Sequence, residues 1–407
     1  MFPGMYARCL ALLCITAIFV PSALAQETAV LIGIAKFFRP IDPALPDHPQ
    51  LGVQYNTVLI VRDGAKAHIR ATLPDIIVPH ERDWWRVGVR VDCQIRTEPD
   101  DTGESVDKKV EDWVEQLYMS RIRKAPQVPD PFGERAESCP AQLVADFRRA
   151  KDSRITTAEA DQNAAWPFEP CIYRTATITA VTPNFVSTTH HGGNSGFCET
   201  SGFSWSDGVS TLRIEDSSLA AYSDVVGDEG LAEYNRELVE SGKALETYGF
   251  NCALSQEGGH ANSAEATDTG WFLQRNEGKW IALALEQPGR ADCQYGGPLS
   301  LPLPRELVGY DTLQPEWSSL ERQIHGLHDA FTSPAGDLVV AVKESQVEIY
   351  GLTGKKVGSK LLTLPANRVV MVQWARGKHV NAWVKELQRW QRKGLPPTVI
   401  RKAVDSD

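Results

Sequence analysis

The sequence predicts a mainly β fold with helical insertions, built from antiparallel sheets and stabilised by disulfides. Three observations predict it. Strand-turn-strand pairs recur along the chain, helical periodicity is confined to a few segments that do not alternate regularly with strands, and six cysteines remain once an export segment is removed.

The N-terminus comes first. A single early charge, Arg8, precedes an apolar run from Cys9 to Val20, and Ala23-Leu24-Ala25 sits just before Gln26, the pattern of a cleaved secretory signal peptide over residues 1–25. A membrane anchor would need roughly 20 apolar residues, and this run is shorter and interrupted by Pro21. A lipid-modified Cys14 would need small residues before it, where Leu12-Leu13 stand. The expectation is therefore a mature chain starting near Gln26, periplasmic or extracellular. No N-x-S/T acceptor follows, which places the periplasm first.

Six cysteines remain after cleavage: Cys93, Cys139, Cys171, Cys198, Cys252 and Cys293. An even number in an oxidising compartment points to three disulfides, each contributing about 3 kcal/mol by the chain-entropy argument. Sequence does not choose among the pairings; the sequential one, Cys93 with Cys139, Cys171 with Cys198 and Cys252 with Cys293, is the working expectation. Thiolate metal sites space their cysteines two to four apart, and the nearest pair here is 27 apart. The formal charge of -10 becomes -11 on loss of Arg8, a surface that repels phosphate backbones, so nucleic acid is excluded as a partner. Hydrophobic residues at 42% and charged residues at 23% exclude wholesale disorder.

Three hairpins are explicit. Val58 to Val61 turns through Arg62-Asp63-Gly64 into Ala67 to Leu73; Trp271-Phe272-Leu273 turns through Asn276-Glu277-Gly278 into Trp280 to Leu285; Leu338 to Val342 turns through Lys343-Glu344-Ser345 into Val347 to Tyr350. Helical spacing predicts a helix over 107–124 from Val110, Trp113, Val114, Leu117 and Ile122, and another over 228–248 from Leu231, Tyr234, Leu238 and Leu245. A third helix, 379–393, places Val380, Trp383, Val384, Leu387 and Trp390 on one face, and a shorter one is expected over 141–150 behind Pro140.

The segment Phe331-Thr332-Ser333-Pro334-Ala335-Gly336-Asp337-Leu338-Val339-Val340 resembles the SPDG turn and following strand of β-propeller blades. With strands at 347–350, 359–364 and 368–374 it implies one four-stranded blade over 331–375. Ser206-Asp207-Gly208-Val209-Ser210-Thr211 resembles the aspartate-box turn of sialidase-type propellers. No period of 40 to 50 residues runs through the chain, so the expected architecture is propeller-like or sandwich-like. The proline-rich stretch around 125–139 divides a β-rich region with one helix, 26–125, from a second region, 140–407; Pro298 to Pro315 reads as a surface connection.

The strongest chemical candidate is Thr188-Thr189-His190-His191-Gly192-Gly193-Asn194-Ser195-Gly196, which resembles the GNSG or GDSG turn around the nucleophile of trypsin-like proteases. That resemblance implies Ser195 as nucleophile, with neighbouring amides as an anion pocket, and His190 and His191 of the same loop are the further catalytic candidates. The upstream histidine and aspartate motifs of that family are absent, and Phe197 breaks the G-x-S-x-G pattern. A Gly-rich loop beside Cys198 is the competing expectation.

His325, His328 and Asp329 offer three metal-ligand types within five residues, with His190, His191, Glu257 and His260 as further donors. Gly326 argues against a firm helix carrying that pair, and the expectation is no metal and no cofactor. The acidic stretches 100–104 and 224–229 do not fit the twelve-residue calcium loop. A carboxylate pair for glycoside cleavage cannot be recognised before strand pairing is known.

Trp84-Trp85, Trp205, Trp271, Trp280, Trp374, Trp383 and Trp390 suit either a glycan platform or a packed core, and hairpin tryptophans favour the core. The C-terminal helix carries Lys385, Arg389, Arg392 and Lys393 on its second face, fit for a membrane surface or, as expected, for solvent above a packed apolar face.

No catalytic set assembles from the sequence. The expected function is a secreted or periplasmic non-enzymatic protein binding another protein or a cell-envelope component. A hydrolase using the His190 to Ser195 loop and an inhibitor or immunity protein are the alternatives.

Overall fold

The structure, a computed structural model, describes residues 27–37, 53–98, 108–122, 172–194, 204–247, 268–286, 295–395 and 401–402. The signal segment, the 125–139 stretch, the helix expected over 141–150, Ser195, and Cys139, Cys171, Cys198, Cys252 and Cys293 lie outside them. Cys93 holds a strand position opposite Trp113, its side chain not among those described. The disulfide expectation thus falls on residues outside this description.

The chain is mainly β and largely antiparallel. Its central sheet orders β17 (Arg368–Arg376), β1 (Thr28–Phe37), β2 (Val53–Asp63) and β3 (Lys66–Pro74). Residues 28–32 of β1, together with Ile34 and Ala35, are buried, because this strand is covered on both faces and reads as a continuous apolar run. On one side Leu31, Leu59, Leu73 and Met371 pack against a seven-stranded sheet. That sheet orders β4 (Ile76–His80), β5 (Asp83–Glu98), β6 (Lys108–Ile122), β7 (Ile172–Val181), β8 (Phe185–Asn194) and β9 (Ser204–Arg213), with β18 (Arg401–Lys402) added to β6.

On the other side Val30, Ile32, Val58 and Ile60 meet two smaller sheets. One holds β10 (Trp271–Asn276), β11 (Lys279–Glu286) and β12 (Tyr295–Leu299); the other holds β13 (Asp329–Thr332), β14 (Leu338–Val342), β15 (Gln346–Thr353) and β16 (Lys356–Pro365).

All three expected hairpins form. Asp63 pairs with Lys66 around Gly64 at φ 59°, and Asn276 pairs with Lys279 around Glu277 and Gly278, whose φ values of 47° and 81° are those of a type I′ turn. Val342 pairs with Val347, closed by the Lys343 N–H donating to the Gln346 carbonyl at 2.9 Å.

The helix expected over 107–124 is not there. Those residues form β6, which pairs with β5 at every position from Trp84–Ile122 to Glu98–Lys108. Helical spacing of five apolar residues was outweighed by a long-range partner, and the region before residue 125 shows no helix among its described residues. The helices expected over 228–248 and 379–393 are present as α2 (Asp228–Thr247) and α5 (Lys378–Lys393). Three short ones, α1 (Tyr222–Val226), α3 (Arg305–Val308) and α4 (Trp317–Gln323), are too brief to show a period.

The blade-like segment is altered in one respect. A four-stranded meander exists, but its first strand is β13, and the residues expected as its last strand leave as β17 to pair with β1, Ala29 opposite Ala375. Val369, Val370 and Met371 are all buried, so β17 is stable only where both of its faces are covered. The turn before β14 has a local cause: the Ser333 hydroxyl accepts the N–H groups of Asp337 at 3.0 Å and Leu338 at 3.1 Å, with Gly336 at φ 64°. Residues 206–211, expected as an aspartate-box turn, run as extended strand inside β9. β17 on β1 and β7 beside β6 make the two sequence regions share two sheets.

Candidate functional site

Strand register builds the polar cluster around His190. Thr188 lies opposite Ser210 across β8 and β9, and His190 follows two positions later on the same face. The His190 Nε2 is 2.9 Å from Thr188 Oγ1 and 3.2 Å from Ser210 Oγ, and the two hydroxyls are 3.0 Å apart. Thr188 is buried; His190 and Ser210 are half-buried. A neutral imidazole with its proton on Nδ1 accepts a hydroxyl proton in this geometry.

Of the trio His190, His191 and Ser195, the two histidines lie among the described residues and Ser195 outside them. His191 occupies the next strand position, in register with Thr175 and Asp207. Gly192 and Gly193 are strand residues paired on either side, while the amides of Ser195 and Gly196, part of the expected anion pocket, lie outside the described residues. The hydroxyl that His190 meets is Ser210, which lies 20 positions away in sequence and becomes a neighbour only through β8–β9 pairing.

The candidate metal ligands diverge. His325 and His328 are exposed on either side of Gly326, at φ 70°, while Asp329 turns inward. Its carboxylate accepts the Gly278 N–H at 2.7 Å and Arg275 Nε at 3.1 Å. Among the described residues no group of three His, Cys, Asp or Glu side chains is placed to hold a metal ion.

Buried charge elsewhere is committed to holding elements together. Glu348 accepts from Lys343 at 2.6 Å, Lys360 at 2.8 Å and Tyr350 Oη at 2.6 Å. Burial alone would push its carboxyl up, but these donors together hold it at about 2. Glu233 on α2 accepts the Ser300 N–H at 2.6 Å, tying the helix to the end of β12. Burial raises its carboxyl; bonds from Ser300 and Arg236 reverse this and leave it below the ordinary range.

Tyr55 accepts the Ile178 N–H at 2.8 Å where the central and seven-stranded sheets meet, and burial pushes its phenol well up. Glu115 from β6 accepts the Ala176 N–H at 3.3 Å nearby. Nothing in the sequence marks these positions, because each is one charged or polar residue in a strand that the fold covers on both faces.

Most of the described tryptophans are core or sheet-packing residues. Trp271 is fully buried, donates Nε1 to the Ala220 carbonyl at 2.7 Å and meets Tyr222 edge-on; Trp85, Trp280 and Trp390 are buried as well. On α5, Val380, Leu387 and Trp390 face the core, and Trp383 and Trp390 each meet Trp84 edge-on at 5.6 Å.

The β5–β6 ribbon is the most conspicuous feature available to a partner. β4 pairs with β5 only from Asp83 to Val87, after which β5 and β6 continue together for eleven more residue pairs to Glu98–Lys108. At about 3.3 Å per residue this length is about 36 Å. Beyond Val87, no strand among the described residues pairs with the second edge of β5.

No family model matches the chain, and no curated protein matches it. Among solved structures, a member of the DUF3298 family from Bacteroides fragilis aligns with 58% of this chain and 98% of its own at 10% identity, with a TM-score of 0.26. A likeness at that score identifies neither fold family nor activity.

Proposed function

We propose that this chain is an exported, non-enzymatic binding protein that takes a partner protein or cell-envelope component along the β5–β6 ribbon. The observation that carries this is the run of β5 past the end of β4. An extended strand edge offers alternating N–H and C=O groups, and a partner segment laid against it gains main-chain hydrogen bonds, with side chains supplying selectivity. Export rests on the Arg8-to-Ala25 pattern and the six remaining cysteines.

The test is selection from a displayed library of short peptides, followed by hydrogen exchange on the complex. Selected peptides are expected to slow alternate amides between Gly88 and Glu98. A variant with residues 95–111 replaced by Asn-Gly, which closes the ribbon at the Gln94–Asp112 pair, is expected to bind them at least tenfold more weakly. Peptides that bind this variant equally well would remove the ribbon from the proposal. Export is checked separately: mature protein from the periplasm is expected to begin at Gln26 with no free thiols, and intact Met1 on cytosolic material contradicts it.

A second function has one observation in its favour, the 3.2 Å approach of Ser210 Oγ to His190 Nε2. It assigns an acyl-ester hydrolase in which Ser210, rather than Ser195, is the nucleophile and His190 the base. A fluorophosphonate probe is expected to label Ser210, with labelling lost in both Ser210→Ala and His190→Gln. An unlabelled wild-type protein rules this function out.

A further inference from the structure

The central sheet ends in β3, and α5 lies against that end. β3 pairs with β2 along one edge, Val58 opposite Thr72 and Ile60 opposite Ile69. Its other edge presents backbone groups to the helix. Gln388 donates Nε2 to the Arg70 carbonyl at 3.0 Å, and Gln391 Oε1 accepts the Thr72 N–H at 3.4 Å. The two glutamines are three residues apart on α5 and so share one side of it. Together they take a carbonyl and an amide that a neighbouring strand would otherwise take.

The rest of the helix is built to stay there. Val380, Leu387 and Trp390 are buried in the core, and Trp383 and Trp390 close on Trp84 from β5. The edge is also marked by charge: Lys66 and Arg70 are exposed on β3, while Ile69 is 46% exposed between them. Charged side chains and a covering element are the two common ways in which proteins blunt a sheet edge that would template association.

We infer that α5 is a guard on the β3 edge, and that the occupant it excludes is the same edge of a second copy of this chain. A bared β3 offers another β3 an antiparallel partner with an exposed isoleucine, and the opposed Lys66 and Arg70 side chains make this pairing salt-dependent. This contrasts with the second edge of β5 beyond Val87, along which no described strand pairs.

The test uses the full chain. Gln388→Pro breaks α5 where it crosses β3, and the double variant Gln388→Ala, Gln391→Ala removes the two bonds while leaving the helix intact. In the double variant the Thr72 amide is expected to exchange at least tenfold faster than in wild type. Sedimentation velocity is expected to show dimers with Gln388→Pro, more of them as NaCl is raised. Adding Thr72→Pro, which removes the N–H that faces α5, is expected to restore the monomer.

If Gln388→Pro fails to fold, the double variant alone is read by both measurements. An unchanged Thr72 amide overturns the inference. So does a monomer whose Thr72 amide has become fast, and so does association that Thr72→Pro leaves intact.

Discussion

The Arg275 guanidinium donates from Nε to the Asp329 carboxylate at 3.1 Å, with the arginine side chain 6% exposed. The same guanidinium pairs with Asp311 and lies 4.1 Å over the Phe331 ring and 5.2 Å from that of Trp280. One cation thus joins the β10–β11 hairpin to β13 and to the segment before α4. Asp329, a metal-ligand candidate by sequence, is the anchor of this junction.

Arg275→Met is expected to leave the buried Asp329 and the half-buried Asp311 without their counter-charge. Breaking a buried pair from one side costs about 3–5 kcal/mol. The urea midpoint should fall accordingly while the m-value stays unchanged. A loss below about 1 kcal/mol would mean that solvent reaches the site and screens it.

Glu348 makes a prediction about acid stability. Its folded carboxyl sits at about 2 against an ordinary 4.5, so the stabilisation from its bonds is complete above about pH 4.5 and disappears as pH falls toward 2. Glu348→Gln is expected to be less stable than wild type near neutral pH and equal to it near pH 2. Urea unfolding across that range checks this. A difference independent of pH would show that packing, not charge, is what the substitution removes.

Gly88 marks a close approach. A Cβ there would lie 2.6 Å from Tyr118 Oη and 2.7 Å from Asp75 Oδ1. Asp75 in turn holds Arg86, whose Nε donates to it at 2.6 Å. Gly88→Ala is expected to destabilise by about 1–3 kcal/mol through overpacking. Adding Asp75→Ala, which also breaks the Arg86 pair, is expected to give a total loss smaller than the sum of the two single losses, since it removes one of the two obstructing groups.

Trp84 is half-buried and meets both Trp383 and Trp390. Trp84→Ala is expected to cost about 2–4 kcal/mol. It should also speed amide exchange in the second half of α5 before the rest of the chain. Uniform exchange throughout would show that the helix is held by its other contacts.

Much of the fold was legible where local chemistry suffices. Gly278 closes a two-residue turn whatever surrounds it, and the spacing of Leu231, Tyr234 and Leu238 is helical in any context. β6 is the opposite case. Val110, Trp113, Val114 and Leu117 satisfy helical spacing as well, and what decides the matter is β5, whose Val87, Val89, Val91, Cys93 and Ile95 alternate with Gly88, Arg90, Asp92 and Gln94. That alternation was the available signal, since a strand of that length needs a partner of equal length beside it. The polar cluster at His190 was half legible: the histidine stood out, but its hydroxyl partners come from strand register, which no local motif encodes.

The β class, the three hairpins, the two long helices and the apolar faces those helices present follow from local pattern, because turn conformation and periodicity depend on neighbours along the chain. That 108–122 is strand, that β17 leaves the meander for β1, that Ser210 meets His190, and that Asp329 belongs to Arg275 are matters of long-range packing. Each of these is settled by a partner far away in sequence, and the energy that selects it comes from burial and charge pairing that exist only once the sheets have stacked.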